Sequence, residues 1–188
     1  MKQSAHLLQA NQQGISLVIV MIFLVILSLL GITAMQGSTL SSRIARNEAD
    51  RNLAFQAAEA AIRDAELDIK GLRFDNAICT PGSVGCRSER INRGDNFVTA
   101  CTNGLCDTLA MTTPIWEDNT KWVAGGGSMA YGDFTAATSL SVVAQQPRYL
   151  LEYFPMGDAT VYRITAVGYG ANSSTQVMLQ TAVKAIPV

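Results

Sequence analysis

Polar residues open the chain, in the stretch MKQSAHLLQANQQG (1–14), and an apolar run follows without a break. From Ile15 to Met35 there are fourteen Ile, Leu, Val and Phe side chains, interrupted only by Ser16, Ser28, Gly31, Thr33 and small neighbours. At a rise of about 1.5 Å per residue this run crosses a hydrocarbon core of about 30 Å. A few tenths of a kcal/mol per apolar side chain makes insertion favourable by roughly 5 kcal/mol. Between Lys2 and Arg43 there is no Asp, Glu, Lys or Arg, and His6 is the one ionisable side chain. The pattern predicts a membrane-spanning helix over residues 15–37.

From Ser38 to Lys70 the periodicity becomes amphipathic. Phe55, Ala58, Ile62, Ala65 and Ile69 recur at alternating steps of three and four, which predicts the core face of a helix over residues 38–71. Leu40 and Ile44 carry an apolar stripe upstream. Charges are expected on the other faces, with Glu59–Arg63 and Glu66–Lys70 in the favourable i, i+4 order. Gly71 is a stop signal. No proline interrupts residues 15–70, so one helix of about fifty-five residues, roughly 80 Å, is expected. Gly31 and Gly37 are the places where it would bend.

Residues 72–188 form the rest, a single globular domain. Within it, residues 107–147 show no period; Pro114, Trp116, Trp122 and GGGSMAYGDF (125–134) predict an irregular segment whose tryptophans cover a sheet. After Pro147 the period is two. YLLEYF (149–154), TVYRITAVGY (160–169) and TQVMLQTAV (175–183) read as strands joined by the turn sequences PMGDA and GANSS. Tyr162, Ile164 and Ala166 would share one face, against Val161, Arg163 and Thr165. The predicted fold class is α+β: a long N-terminal helix packed on a C-terminal antiparallel sheet.

Composition then narrows the function. The 188 residues suffice for one domain with a core. Fourteen basic against fifteen acidic residues leave a net charge of −1, which favours neither nucleic acid nor an acidic membrane surface as a partner. All four cysteines (Cys79, Cys86, Cys101, Cys106) follow the apolar run. An even set of this kind predicts two disulfides in an oxidising compartment, and so puts residues 1–14 in the cytoplasm and the domain outside it. CTPGSVGC (79–86) and CTNGLC (101–106) allow local pairing, while nested pairing of Cys79 with Cys106 and Cys86 with Cys101 is the rival. These spacings are longer than the C-x2-C of zinc sites.

RGD (93–95) lies inside INRGDNF, where a polar turn and a receptor-adhesion motif are the competing readings. The DN dipeptides at 75, 95 and 118 lack the D-x-D-x-D-G context of a calcium loop. An enzyme is not expected. The one histidine, His6, lies in the leader, which removes Ser–His, Cys–His and histidine–metal schemes from the rest of the chain. No phosphate-binding Gly loop or H-E-x-x-H helix occurs, and no cofactor or metal is implied.

A secretory signal carries its cleavage site after the apolar stretch. Here the polar leader ends on Gly14, directly before it. A hydrophilic leader ending in glycine, then an apolar helix continuing into an amphipathic one, resembles a type IV prepilin. The closest likeness is to minor pilins of the PilX type, carried by residues 14–66 and 161–183; residues 71–148 add nothing to it. The resemblance implies cleavage between Gly14 and Ile15 by a prepilin peptidase and methylation of the new Ile15 amine. A residue without a side chain at Gly14 suits close approach of a protease to the backbone. The family's usual first mature residue is Phe, so Ile15 departs from it. Most pilins also place a glutamate at the fifth mature position, thought to neutralise the terminal amine of the neighbouring subunit. This chain has Ile19.

The resemblance therefore implies a structural subunit that primes pilus assembly at or near the tip, supporting twitching motility and adhesion. Other minor pilins, the major pilin, the prepilin peptidase and the inner-membrane assembly platform would be its partners. It would stand single-pass in the bacterial inner membrane, its domain periplasmic, and become extracellular with the pilus. A type II secretion pseudopilin and a membrane-anchored adhesin are the alternatives.

Overall fold

One helix, α1, runs Ile15–Lys70. The computed structural model of the protein describes residues 15–91, 94–157 and 159–185, and within these all side chains but those of 34–39 and 185. The chain divides into two units, Met1–Arg46 and Asn47–Val188, and α1 has residues in both. In the first unit the described part is helix alone. The second unit contains the rest of α1 and every strand.

The helix stops where Gly71 takes a left-handed φ of +66°, which costs a residue without Cβ little. Gly71 N–H donates to Asp68 O (3.0 Å) and Leu72 N–H to Leu67 O (2.9 Å). Those two bonds are the Schellman pattern, and they satisfy carbonyls that the helix end would otherwise leave open.

Within residues 47–70 the buried line is Ala54, Ala57, Ala58, Ala61, Asp64, Ala65 and Asp68. This corrects the sequence expectation in two ways. Ala58 and Ala65 are fully buried, and Ile62 and Ile69 pack half-buried against the core as expected, but Phe55 is 43% exposed. Two acids, expected on outer faces, sit in the buried line instead. The cause is close approach: a sheet lying directly on the helix selects methyl groups, and larger apolar side chains are pushed to the flanks.

The sheet has three long strands, β3 (Arg148–Met156), β4 (Ala159–Tyr169) and β5 (Gln176–Ala185), and two short ones, β1 (Leu105–Cys106) and β2 (Met129–Ala130). Strands β3, β4 and β5 form the expected antiparallel meander, with Tyr153 opposite Tyr162 and Ile164 opposite Thr181. On the other edge of β3, β2 pairs antiparallel and β1 parallel, with Leu105 opposite Leu151. The sheet is thus mixed, and its parallel element is two residues long, too short to leave a period in the sequence.

Both faces of the sheet are covered. Tyr149, Leu151, Tyr162, Ile164 and Ala166 pack with Ala61, Ala65, Phe97 and Leu105 on the helix side. Leu150, Val167 and Tyr169 pack with Cys101, Cys106, Ile115 and Trp122 on the other. That second layer explains why Ile164 to Tyr169 are buried without alternation. At Gly168 the helix comes closest: a Cβ there would fall on the Ala54 carbonyl oxygen and the Ala58 backbone nitrogen.

Candidate functional site

The segment Ile15–Thr33 is the one helix among the described residues long and apolar enough to cross a membrane, and none of it is buried by protein. Ile15 is 71% exposed and Ile19 51%. Two of its three hydroxyl side chains, Ser28 and Thr33, are spent on the helix itself. Ser28 Oγ donates to Leu24 O (2.7 Å), and Thr33 Oγ1 to Leu30 O (2.9 Å) and Leu29 O (3.2 Å). A span with helical backbone pairing, its Ser28 and Thr33 hydroxyls bonded within the helix and no charge is compatible with lipid, where an unsatisfied polar group costs several kcal/mol. Ile19 continues the apolar surface with Leu17, Val18 and Val20. Gly14, the residue before the expected cut, lies outside the described residues.

In the second unit the chemistry-bearing side chains are engaged in holding the domain together. The structure joins Cys79 to Cys86 (Cα–Cα 5.6 Å) and Cys101 to Cys106 (4.2 Å), the local pairing. Arg87 follows the first disulfide directly and reaches Asp68 on α1 through two bonds, Nε at 2.7 Å and Nη2 at 2.6 Å. Tyr149 Oη donates to the same carboxylate at 2.7 Å. The Arg87 guanidinium also lies 4.0 Å over the Phe134 ring. Burial pushes the Tyr149 phenol well above its ordinary value, and the adjacent Asp68 carboxylate adds to this.

Asp64, one turn earlier, accepts from Gly132 N–H (2.8 Å) and from the Thr135 hydroxyl. Burial raises its carboxyl above the usual range, and those two donors offset part of the rise. On the opposite face of the sheet, Glu152 is fully buried and receives Arg163 Nε (2.7 Å), Arg163 Nη2 (2.6 Å) and Thr108 Oγ1 (2.9 Å). The Arg163 guanidinium is held between Trp116 and Phe154, 4.2 and 4.8 Å from their ring centres. Asp64 and Asp68 are matched by donors from segments distant in sequence, Glu152 by its cross-strand neighbour Arg163 and by Thr108, and no described side-chain polar atom in the interior lacks a partner. Sequence reasoning missed all three acids as core residues, and i, i+4 pairing on α1 carried no hint of Arg87.

The remaining motifs have local roles. Gly94 of RGD packs on the Tyr153 ring, where a Cβ would come 2.7 Å from the nearest ring carbon, and its carbonyl accepts from Phe97 N–H (3.1 Å). Arg93 lies outside the described residues. Asp75 accepts from Ala77 N–H (3.0 Å), and Asp118 caps a 3₁₀ turn by accepting from Thr120 N–H (2.9 Å) and Oγ1 (2.6 Å). No group of three or more His, Cys, Asp and Glu poised for a metal occurs among the described residues.

An exposed apolar N-terminal helix joined to an α+β disulfide domain is the build of a pilin. Family comparison agrees in both parts of the chain: residues 13–63 match PilX N-terminal, and residues 98–185 match type IV pilus assembly protein PilX C-term. The chain belongs to the PilX family of type IV pilus minor pilins. No curated protein and no solved structure matches it. Membership accounts for both units. As a PilX-type pilin the chain is a structural protein that assembles with other pilus components, and its apolar helix is its membrane anchor. The C-terminal match covers β1 to β5 together with the segment that backs the sheet, so it takes in residues 98–148 of the region that carried no resemblance in the sequence, and leaves 71–97 outside it.

Proposed function

We propose that this minor pilin primes type IV pilus assembly at or near the tip, and through the pilus supports twitching motility and adhesion. In this reading residues 1–14 are cytoplasmic and the domain periplasmic. The prepilin peptidase cuts between Gly14 and Ile15, and the Ile15 amine is methylated. Other minor pilins, the major pilin and the inner-membrane platform then receive the mature chain.

The observation that carries the tip position is Ile19, apolar and unburied in a span that holds no acid. An acid costs about 3 kcal/mol at mid-membrane and less nearer an interface, and is retained only where it finds a cationic partner. A subunit without it has nothing to offer the terminal amine of a neighbour, which suits the first subunit laid down. The disulfides support an oxidising compartment for the domain.

Two measurements test this reading. Mass spectrometry of the protein from cells with and without prepilin peptidase should find residues 1–14 lost only when the peptidase is present; retention of the leader would sink the processing step. Immunogold should label pilus ends, and even labelling along the shaft would remove the tip position.

A further inference from the structure

The two edges of the sheet are treated differently. The outer edge of β3 is occupied by β1 and β2, whereas β5 closes the other side of the sheet with ten residues and, among the described residues, no strand beyond it. Gly170 N–H donates to Thr175 O (2.9 Å), which makes that pair a hydrogen-bonded one. Counting along the register from it, Val177, Leu179, Thr181 and Val183 exchange bonds with β4. Gln176, Met178, Gln180, Ala182 and Lys184 therefore turn both N–H and C=O outward. No described residue bonds to those outward groups.

An open edge of this length is normally blunted by prolines, bulges, several charges or a covering loop. Strand β5 carries Lys184 as its one charge and has neither a proline nor a bulge in its register with β4. The side chains beside the edge, Gln176, Met178, Gln180 and Ala182, are exposed and neutral. A ladder of alternating donors and acceptors is complemented by an extended backbone, and neither a ligand nor an apolar helix satisfies it.

We propose that β5 is a strand-addition site, occupied in the assembled state by an extended segment of another pilus subunit. The rim is neutral over residues 176–183, so the partner segment is recognised by its extended backbone rather than by its charge. The site requires only membership in the pilus, not a position at its tip, so immunogold and the test below fail independently.

The test uses the full chain in piliated cells, with benzoylphenylalanine at position 180 beside the edge or at 181 on the helix side of the sheet. Irradiation should join position 180, and not 181, to another pilus subunit identified by mass spectrometry. Ala182→Pro deletes an outward N–H while leaving the β4 ladder intact. It should cut the adduct about fivefold, the loss of one backbone hydrogen bond, at unchanged protein level. The double substitution Met178→Lys with Ala182→Lys, which keeps the strand backbone, should do the same and guards against misfolding of the proline variant. No adduct from position 180, an adduct to a second copy of this chain, or an adduct that survives the double substitution overturns the proposal.

Discussion

Arg87 grips Asp68 through two hydrogen bonds of 2.7 and 2.6 Å, and both side chains are more than nine-tenths buried. The pair ties the Cys79–Cys86 loop to the last turn of α1. Desolvation opposes the Arg87 charge, and the facing Asp68 carboxylate together with Tyr149 outweighs it. A buried pair of this kind adds little over an apolar substitute, but removing one member strands the other. Arg87→Ala should therefore cost about 3–5 kcal/mol in denaturant unfolding of the full chain in detergent. Arg87→Lys should recover only part of that, because an ammonium lacks the two-pronged geometry. A loss below about 1 kcal/mol would place the pair in the exposed class.

Two acids on the same helix should respond to pH in opposite senses. Asp64 sits above the ordinary carboxylate value because it is buried, so the folded state takes its proton first. Its stabilising contribution is complete below the unfolded value of about 4 and is lost as pH rises through the folded value. Asp50 sits below the ordinary value, chiefly through the Thr175 hydroxyl, with the Asn172 and Ala171 N–H groups adding to it against an opposing desolvation effect. Its contribution is present above about pH 4 and is lost as pH falls through the folded value. Between about pH 3 and about pH 7, Asp64→Asn should gain on the natural chain as pH rises, and Asp50→Asn should lose ground. Parallel curves would contradict both assignments.

Gly168→Ala tests the closeness of helix and sheet. The added methyl group meets the backbone of Ala54 and Ala58, which cannot swing aside as a side chain would. Overpacking usually costs about 1–3 kcal/mol, and rigid backbone on the receiving side puts this case at the upper end. Circular dichroism melting of the full chain should show a clear drop in Tm, whereas Gly31→Ala, with open space around the glycine and no left-handed φ, changes no contact.

Each disulfide closes a short loop, with sequence separations of seven and five residues. Loop entropy at those lengths predicts a contribution of about 2 kcal/mol each. Cys79→Ser with Cys86→Ser should lower stability by that amount, and Cys101→Ser with Cys106→Ser by about as much. Thiol alkylation before and after reduction, read by mass, should show all four cysteines blocked until reductant is added. Free thiols in protein taken from cells would contradict the oxidising location.

How much of this was legible beforehand varied with the physics behind each feature. The long helix and the three-strand meander left clear periods, because apolar spacing and turn chemistry are local properties. The buried line of α1 was displaced by one residue at Phe55, since a run rich in alanine does not announce which methyls face the sheet. Asp64 and Asp68 looked like surface acids because their partners, Thr135, Arg87 and Tyr149, are brought to them only by the fold. The pairing of the cysteines stayed open because local and nested loops were both short enough to close. Strand β1 could not be read, its two residues being held by the register against β3 rather than by their own propensity.

Ile19→Glu addresses the absent acid directly. The substitution places a carboxyl in the described span at a cost of about 3 kcal/mol at mid-membrane, less near an interface. At a tip the glutamate meets no neighbouring amine above it, so pilus number and length should stay near those of the natural chain. Within a shaft, the same carboxylate can neutralise the terminal amine of an adjacent subunit, and the variant should enter internal positions more readily. Immunogold on sheared pili should then show the label spread from ends to shaft, with total chain per cell unchanged by immunoblot. If the natural chain labels the shaft and the substitution changes nothing, apolar Ile19 has no part in setting position, and the pilin's place must be fixed by its domain contacts instead.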